Sequence, residues 1–338
     1  MKEELQEIGV IGAGSWGTTL ANLLALKGHK VILWVRRPEL CRSIQEKQEN
    51  ADYLPGIKLS HNIIPTISLK DSVKDVTVLA LPSHGLRKIS EEITHCVSDN
   101  TTLVSTIKGI EEDTLFTVSQ LLTDVFHDQR LPDFAVLSGP SFAAEVTKKL
   151  PTAICVSSEK EDVAEKVQQL FNTPYFRVYT NLDVIGVELG GALKNVLAIA
   201  TGICDGLSLG ENSRAALITR GLTEMIRLGM KMGAKIETFS GLSGLGDLIL
   251  TCTGTSSRNH TVGFRLGKGE KLDEILSTMN MVAEGVRTAK AIHSLTKKYN
   301  LEMPICGQVY SILYENKSPK TAVLELMTRG LKGEMDEI

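Results

Sequence analysis

No basic run in this 338-residue chain is longer than a dipeptide, such as Arg36–Arg37, Lys148–Lys149 or Lys297–Lys298. Lys and Arg number 37 against 40 Asp and Glu, a formal net charge of −3. That balance argues against nucleic acid as the main partner, which would select a basic face. No apolar run approaches the ~20 residues that a membrane helix requires. Met1–Glu7 is charged and leads straight into a strand-like run, unlike a signal peptide. The six cysteines (41, 96, 155, 204, 252 and 306) include no CxxC pair, so zinc and disulfide frameworks both lack support. Reduced thiols and a cytoplasmic setting are expected. The seven histidines show no HExxH or paired spacing, so no metal site is expected. No Ser-His-Asp or Cys-His pattern, internal repeat or low-complexity tract stands out.

Glycine is what the chain does have. Of 29 glycines, nine lie in the first 180 residues and sixteen fall between Gly186 and Gly269. Glycine costs entropy inside regular elements, so that cluster needs a cause.

The first half alternates β-branched runs with helical patterns. Strands are expected at 7–11, 30–35, 77–81, 102–107, 134–138, 152–156 and 176–179. Helices are expected at 15–27, 39–48, 86–94, 114–125, 142–148 and 160–170. Runs such as Val76-Thr77-Val78-Leu79-Ala80-Leu81 read as strands buried on both faces. The alternation implies right-handed βαβ units and a doubly wound, mostly parallel sheet. After Asn181 helical patterns take over, with candidates at 182–201, 213–231, 257–268, 272–279, 286–299, 307–314 and 319–326. Two domains are therefore expected, an α/β one over residues 1–181 and an all-helical one over 182–338.

Gly12-Ala13-Gly14-Ser15-Trp16-Gly17 follows the first expected strand and opens a helix, with a second strand beginning at Lys30. In that context GxGxxG is the Rossmann-like dinucleotide fingerprint. Gly12 serves the tight turn, Gly14 the approach of the pyrophosphate and Gly17 the packing of helix on strand. The second strand ends in Arg36 and Arg37, where an NAD site would carry Asp or Glu. A guanidinium suits a 2′-phosphate, so NADP is expected to be preferred over NAD. Lys108 follows the strand at 102–107 and is expected at the cofactor crevice.

In the helical half, Gly190 and Gly191 share a helix face with Lys194. Close packing of another segment and close approach of a ligand both explain such a bare face. Asp247 and Thr251 face one way if a helix opens there. Ser256-Ser257-Arg258-Asn259 offers hydroxyls, a guanidinium and an amide at an expected helix start, which suits a phosphate. Met281-Val282-Ala283-Glu284-Gly285 reads as a short loop before a helix.

Together these residues resemble the bacterial-type soluble NAD(P)-dependent glycerol-3-phosphate dehydrogenases. The resemblance runs over nearly the whole chain. It is carried by GAGSWGT at 12–18, KG at 108, SGPSFA at 138–143, ELGGALKNV at 188–196, GLSGLGDL at 241–248, SSRN at 256–259 and VAEGV at 282–286. It implies reduction of dihydroxyacetone phosphate to sn-glycerol 3-phosphate, supplied to phospholipid synthesis, and a homodimer. It implies cofactor contacts at Ser15, Trp16, Arg36, Lys108, Ala143, Arg258, Val282 and Glu284. Substrate contacts are implied at Lys108, Gly139, Ser141, Lys194, Asp247, Ser257, Arg258 and Asn259, to which Asn195 is added as Lys194's neighbour. Lys194 matches the family's acid/base, with Lys108 and Asp247 as its expected companions. A β-hydroxyacid dehydrogenase of similar architecture, which would need a carboxylate-binding group, is the alternative.

Overall fold

In the computed structural model, residues 4–127, 131–279 and 282–334 are described. The chain divides into two compact units. One comprises Met1–Ile107 and Val118–Val184, the other Lys108–Thr117 and Ile185–Ile338. The 108–117 segment, expected with the α/β half, therefore belongs to the helical unit.

The α/β unit is built on one sheet of eight strands. They are β1 (Glu7–Ile11), β2 (Lys30–Trp34), β3 (Ile63–Thr66), β4 (Val76–Leu79), β5 (Thr102–Ser105), β6 (Asp133–Ser138), β7 (Thr152–Ser157) and β8 (Phe176–Asn181). The order is β3-β2-β1-β4-β5-β6-β7-β8, and only the β6–β7 pair is antiparallel. Strand order reverses between β1 and β4, the switch point at which doubly wound sheets bind ligands. The central strands are buried on both faces: Ile8, Val10, Val76, Val78 and Val104 on one face and Ile11, Leu79 and Leu103 on the other are fully buried. β3 was absent from the expected strands; its edge position and Pro65 blur the pattern. The helix expected at 114–125 forms only over Val118–Val125.

Among its described residues the helical unit contains no strand. Its central element is the Val184–Gly206 helix, long and apolar enough to cross a membrane, contrary to the expectation that no such run exists. The most apolar stretch of that helix is 94% buried, which makes it a core helix. Its packing explains much of the glycine cluster. A methyl on Gly202 would lie 2.1 Å from the His260 carbonyl oxygen, and one on Gly263 would lie 2.0 Å from that of Ile199. A methyl on Gly206 would lie 2.3 Å from the Phe264 carbonyl oxygen, and one on Gly267 2.6 Å from that of Ile203. These four glycines let two helix backbones touch.

Candidate active site

The Val184–Gly206 helix carries Lys194, and the Asp247–Thr253 helix carries Asp247 and Thr251. What brings the two helices together is again glycine. A Cβ on Gly190 would stand 2.6 Å from the Ser243 carbonyl oxygen, so the bare face beside Lys194 is a packing face at this position. Ser243 lies in a single wide π-turn, Leu242–Gly246, that runs into the Asp247 helix. Such turns widen a helix locally and re-aim the side chains that follow.

Asp247 is almost fully buried and bridges two lysines. Its Oδ1 accepts from Lys194 Nζ at 2.6 Å, and its Oδ2 accepts from Lys108 Nζ at 2.6 Å. Lys194 also donates to Thr251 Oγ1 at 2.8 Å, and that hydroxyl donates to the Asp247 carbonyl oxygen at 2.7 Å. Two ammoniums on one carboxylate leave a cluster with one net positive charge, a receptacle for an anion or a developing oxyanion. Lys108 keeps 20% of its side chain exposed, against 8% for Lys194.

Burial raises the cost of charge on Lys194. Desolvation outweighs the attraction of Asp247 and, helped by repulsion from Lys108, brings its pKa down to about 8. Burial pushes the other way on Asp247, but the two ammoniums overcome it and hold that carboxyl below its usual range. Burial is the larger cause of this depression and the second amine the smaller one.

Lys108 is held from behind. Asn195 Nδ2 donates to the Lys108 carbonyl oxygen at 3.2 Å and to that of Gly191 at 3.3 Å. Asn195 Oδ1 accepts from Asn259 Nδ2 at 2.9 Å, and Asn259 Oδ1 accepts from the Gly285 amide at 3.0 Å. Both amides, expected to hold substrate, are thus engaged in joining protein segments. Ser257 is buried and caps the Arg258–Gly267 helix through the His260 amide. Arg258 is exposed and donates to the Val282 carbonyl oxygen at 2.9 Å. Val282 is 40% exposed, and Glu284 begins the Glu284–Tyr299 helix. Met281, in the expected loop, lies outside the described residues. The expected sequence constellation missed Thr251 as a direct partner of Lys194.

The α/β unit holds the remaining candidates. Gly12 has φ +120°, and a Cβ there would meet the Ala80 carbonyl oxygen at 2.3 Å. A Cβ on Gly17 would lie 1.9 Å from the Gly12 carbonyl oxygen, whereas Gly14 faces open space. That is the cradle the fingerprint demands: tight turn, open approach and close helix. Ser15, first residue of the Ser15–Leu26 helix, donates to the Tyr53 carbonyl oxygen at 2.7 Å, and the Trp16 ring stands 6.4 Å from that of Phe176. Arg36, two residues beyond β2, is exposed, while Arg37 pairs with Asp52. Gly139 adopts φ +138° after β6, Ser141 Oγ donates back to its carbonyl at 3.0 Å, and Ala143 begins the Ala143–Thr147 helix. Among the described residues there is no group of three or more His, Cys, Asp or Glu that could hold a metal.

The family model described as the NAD-dependent glycerol-3-phosphate dehydrogenase N-terminus matches residues 7–164, and that of the C-terminus matches residues 183–324. A glycerol-3-phosphate dehydrogenase (NAD(P)+) of Geobacter metallireducens is 54% identical over 97% of this chain and 99% of its own. The like-named protein of Citrifermentans bemidjiense is 52% identical with the same coverage. The crystal structure of the Coxiella burnetii glycerol-3-phosphate dehydrogenase superposes with a TM-score of 0.92 at 39% identity, covering 96% of this chain and 99% of that one.

Proposed function

The chain belongs to the NAD-dependent glycerol-3-phosphate dehydrogenase family, and from that premise we propose the roles of its residues. It is an oxidoreductase that interconverts dihydroxyacetone phosphate and glycerol 3-phosphate with NAD or NADP. The β-hydroxyacid alternative is not favoured by these relatives.

The nicotinamide coenzyme supplies or takes up the hydride at substrate C2. On the protein side, the Gly12–Gly17 turn and the start of the Ser15–Leu26 helix would hold its pyrophosphate. Trp16, Arg36, Ala143, Val282 and Glu284 are proposed as further coenzyme contacts, and Arg36 as the group that favours NADPH. Lys194 protonates the substrate oxygen as negative charge develops there. Asp247 keeps that ammonium aimed and keeps it charged in the neutral range. Lys108, the more exposed lysine, binds the substrate's oxygen side and adds positive potential. Arg258, with Ser257 and Asn259 behind it, is proposed to bind the substrate phosphate, and Gly139 and Ser141 to line its path. A cytoplasmic homodimer supplying glycerol 3-phosphate for phospholipid synthesis is the proposed setting.

The observation that carries this reading is the single buried carboxylate shared by two lysines. It is tested by following nicotinamide oxidation with dihydroxyacetone phosphate, NADPH and NADH in parallel. Turnover is expected with at least one coenzyme and not with an unphosphorylated carboxylate analogue. Absence of turnover with both coenzymes contradicts it.

A further inference from the structure

Arg36 and Arg37, just beyond the end of β2, have no carboxylate at the strand end itself, but the fold brings one to them. Arg37 ion-pairs with Asp52, and its guanidinium stands 5.6 Å from the centre of the Tyr53 ring. Arg36 makes no ion pair among the described residues and is exposed. The two arginines are therefore not equivalent.

Asp52 is also fixed relative to the coenzyme turn. Its neighbour Asn50 is fully buried and donates to the Ala13 carbonyl oxygen at 2.9 Å and to Thr18 Oγ1 at 2.8 Å. On the other side, the Tyr53 carbonyl accepts from Ser15 Oγ at 2.7 Å. Three bonds thus fasten the 50–53 segment to the glycine turn and the first residues of its helix. The Asp52 carboxylate itself is half exposed, so a ligand can reach it.

A carboxylate beside the second strand's end accepts from ribose hydroxyls and repels a 2′-phosphate. We propose that Asp52 is the coenzyme-discriminating acid of this chain. It accepts from the adenosine ribose of NADH, and it holds Arg37 away from the 2′-phosphate of NADPH. Arg36 and Asp52 then act in opposition, which gives a site that admits both coenzymes. The inference rests on the reading that this strand end faces the ribose.

The test is kcat/KM for NADH and NADPH, with melting temperature, in Asp52→Asn, Asp52→Ser, Asp52→Glu and Arg36→Gln. Both neutral Asp52 variants are expected to lose about tenfold with NADH, the scale of one hydrogen bond to a charged group. NADPH is expected to be unchanged or improved, so the NADPH/NADH ratio rises about tenfold or more. Asp52→Glu keeps the original ratio, and Arg36→Gln lowers it. An unchanged ratio in the neutral Asp52 variants, with a lowered one in Arg36→Gln, overturns the inference and leaves the Arg36 reading intact. An equal loss with both coenzymes and a lower melting temperature also overturns it, since that is a structural role. A raised ratio in the Asp52 variants with no change in Arg36→Gln supports Asp52 and removes Arg36 from coenzyme choice.

Discussion

Lys194 Nζ lies 2.6 Å from Asp247 Oδ1 across 53 positions of sequence. Neither group would sit buried alone, since an isolated charge in a core costs several kcal/mol. Their pairing, with Lys108 on the second oxygen, lets a protonated amine persist in a buried site, as the proposed role of Lys194 requires.

The pH dependence follows from that burial. Lys194 has its pKa lowered to about 8. With Lys194 as the proposed acid, reduction needs the ammonium, so its rate is expected to be flat below that value and to fall as pH rises through it. Oxidation of glycerol 3-phosphate needs the free amine and rises over the same range. Initial rates in both directions between pH 6 and 10 (~0.5-unit steps) check this; limbs near the unperturbed lysine value of about 10.4 would contradict it.

Asp247→Asn removes the shared counter-charge. Leaving Lys194 buried without it is expected to cost about 3–5 kcal/mol of stability, read from denaturant unfolding. The attraction that raises the Lys194 pKa also disappears, so the alkaline limb of reduction shifts to lower pH. A variant with unchanged stability and an unmoved limb would show that the carboxylate does not hold the amine.

Gly263→Ala probes the helix crossing. Its Cβ would meet the Ile199 carbonyl oxygen at 2.0 Å, and backbone cannot give as a flexible side chain can. A loss of about 1–3 kcal/mol is expected, measured by thermal or chemical unfolding. Because Lys194 rides on the helix it presses, turnover should fall with it.

Much of this was legible in the sequence because it rests on local rules. The fingerprint announced its turn, open approach and close helix through three glycines, and the apolar strand runs announced a sheet covered on both faces. Lys194 and Asp247 were marked by helical spacing and resemblance. Other features depend on distant partners and were not legible. Lys108 was read with the strand before it, yet its segment belongs to the helical unit, where Asn195 fixes its carbonyl. The bare face at Gly190 and Gly191 left close packing and ligand approach both open, and only the structure shows that Gly190, Gly202, Gly206, Gly263 and Gly267 allow backbones to touch. The Val184–Gly206 helix escaped notice as a long apolar segment because Glu188 and Lys194 interrupt it. The π-turn at Leu242–Gly246 has no short sequence signature, and the Arg37–Asp52 pair joins a strand end to a turn.

The most direct measurement is the steady-state rate of dihydroxyacetone phosphate reduction by Lys194→Ala beside the unaltered protein, with NADPH and NADH each saturating. Loss of the positioned acid predicts kcat lower by about 10²–10⁴-fold, with coenzyme binding retained. A kcat within about tenfold of the unaltered protein would contradict the assignment of Lys194 as the acid.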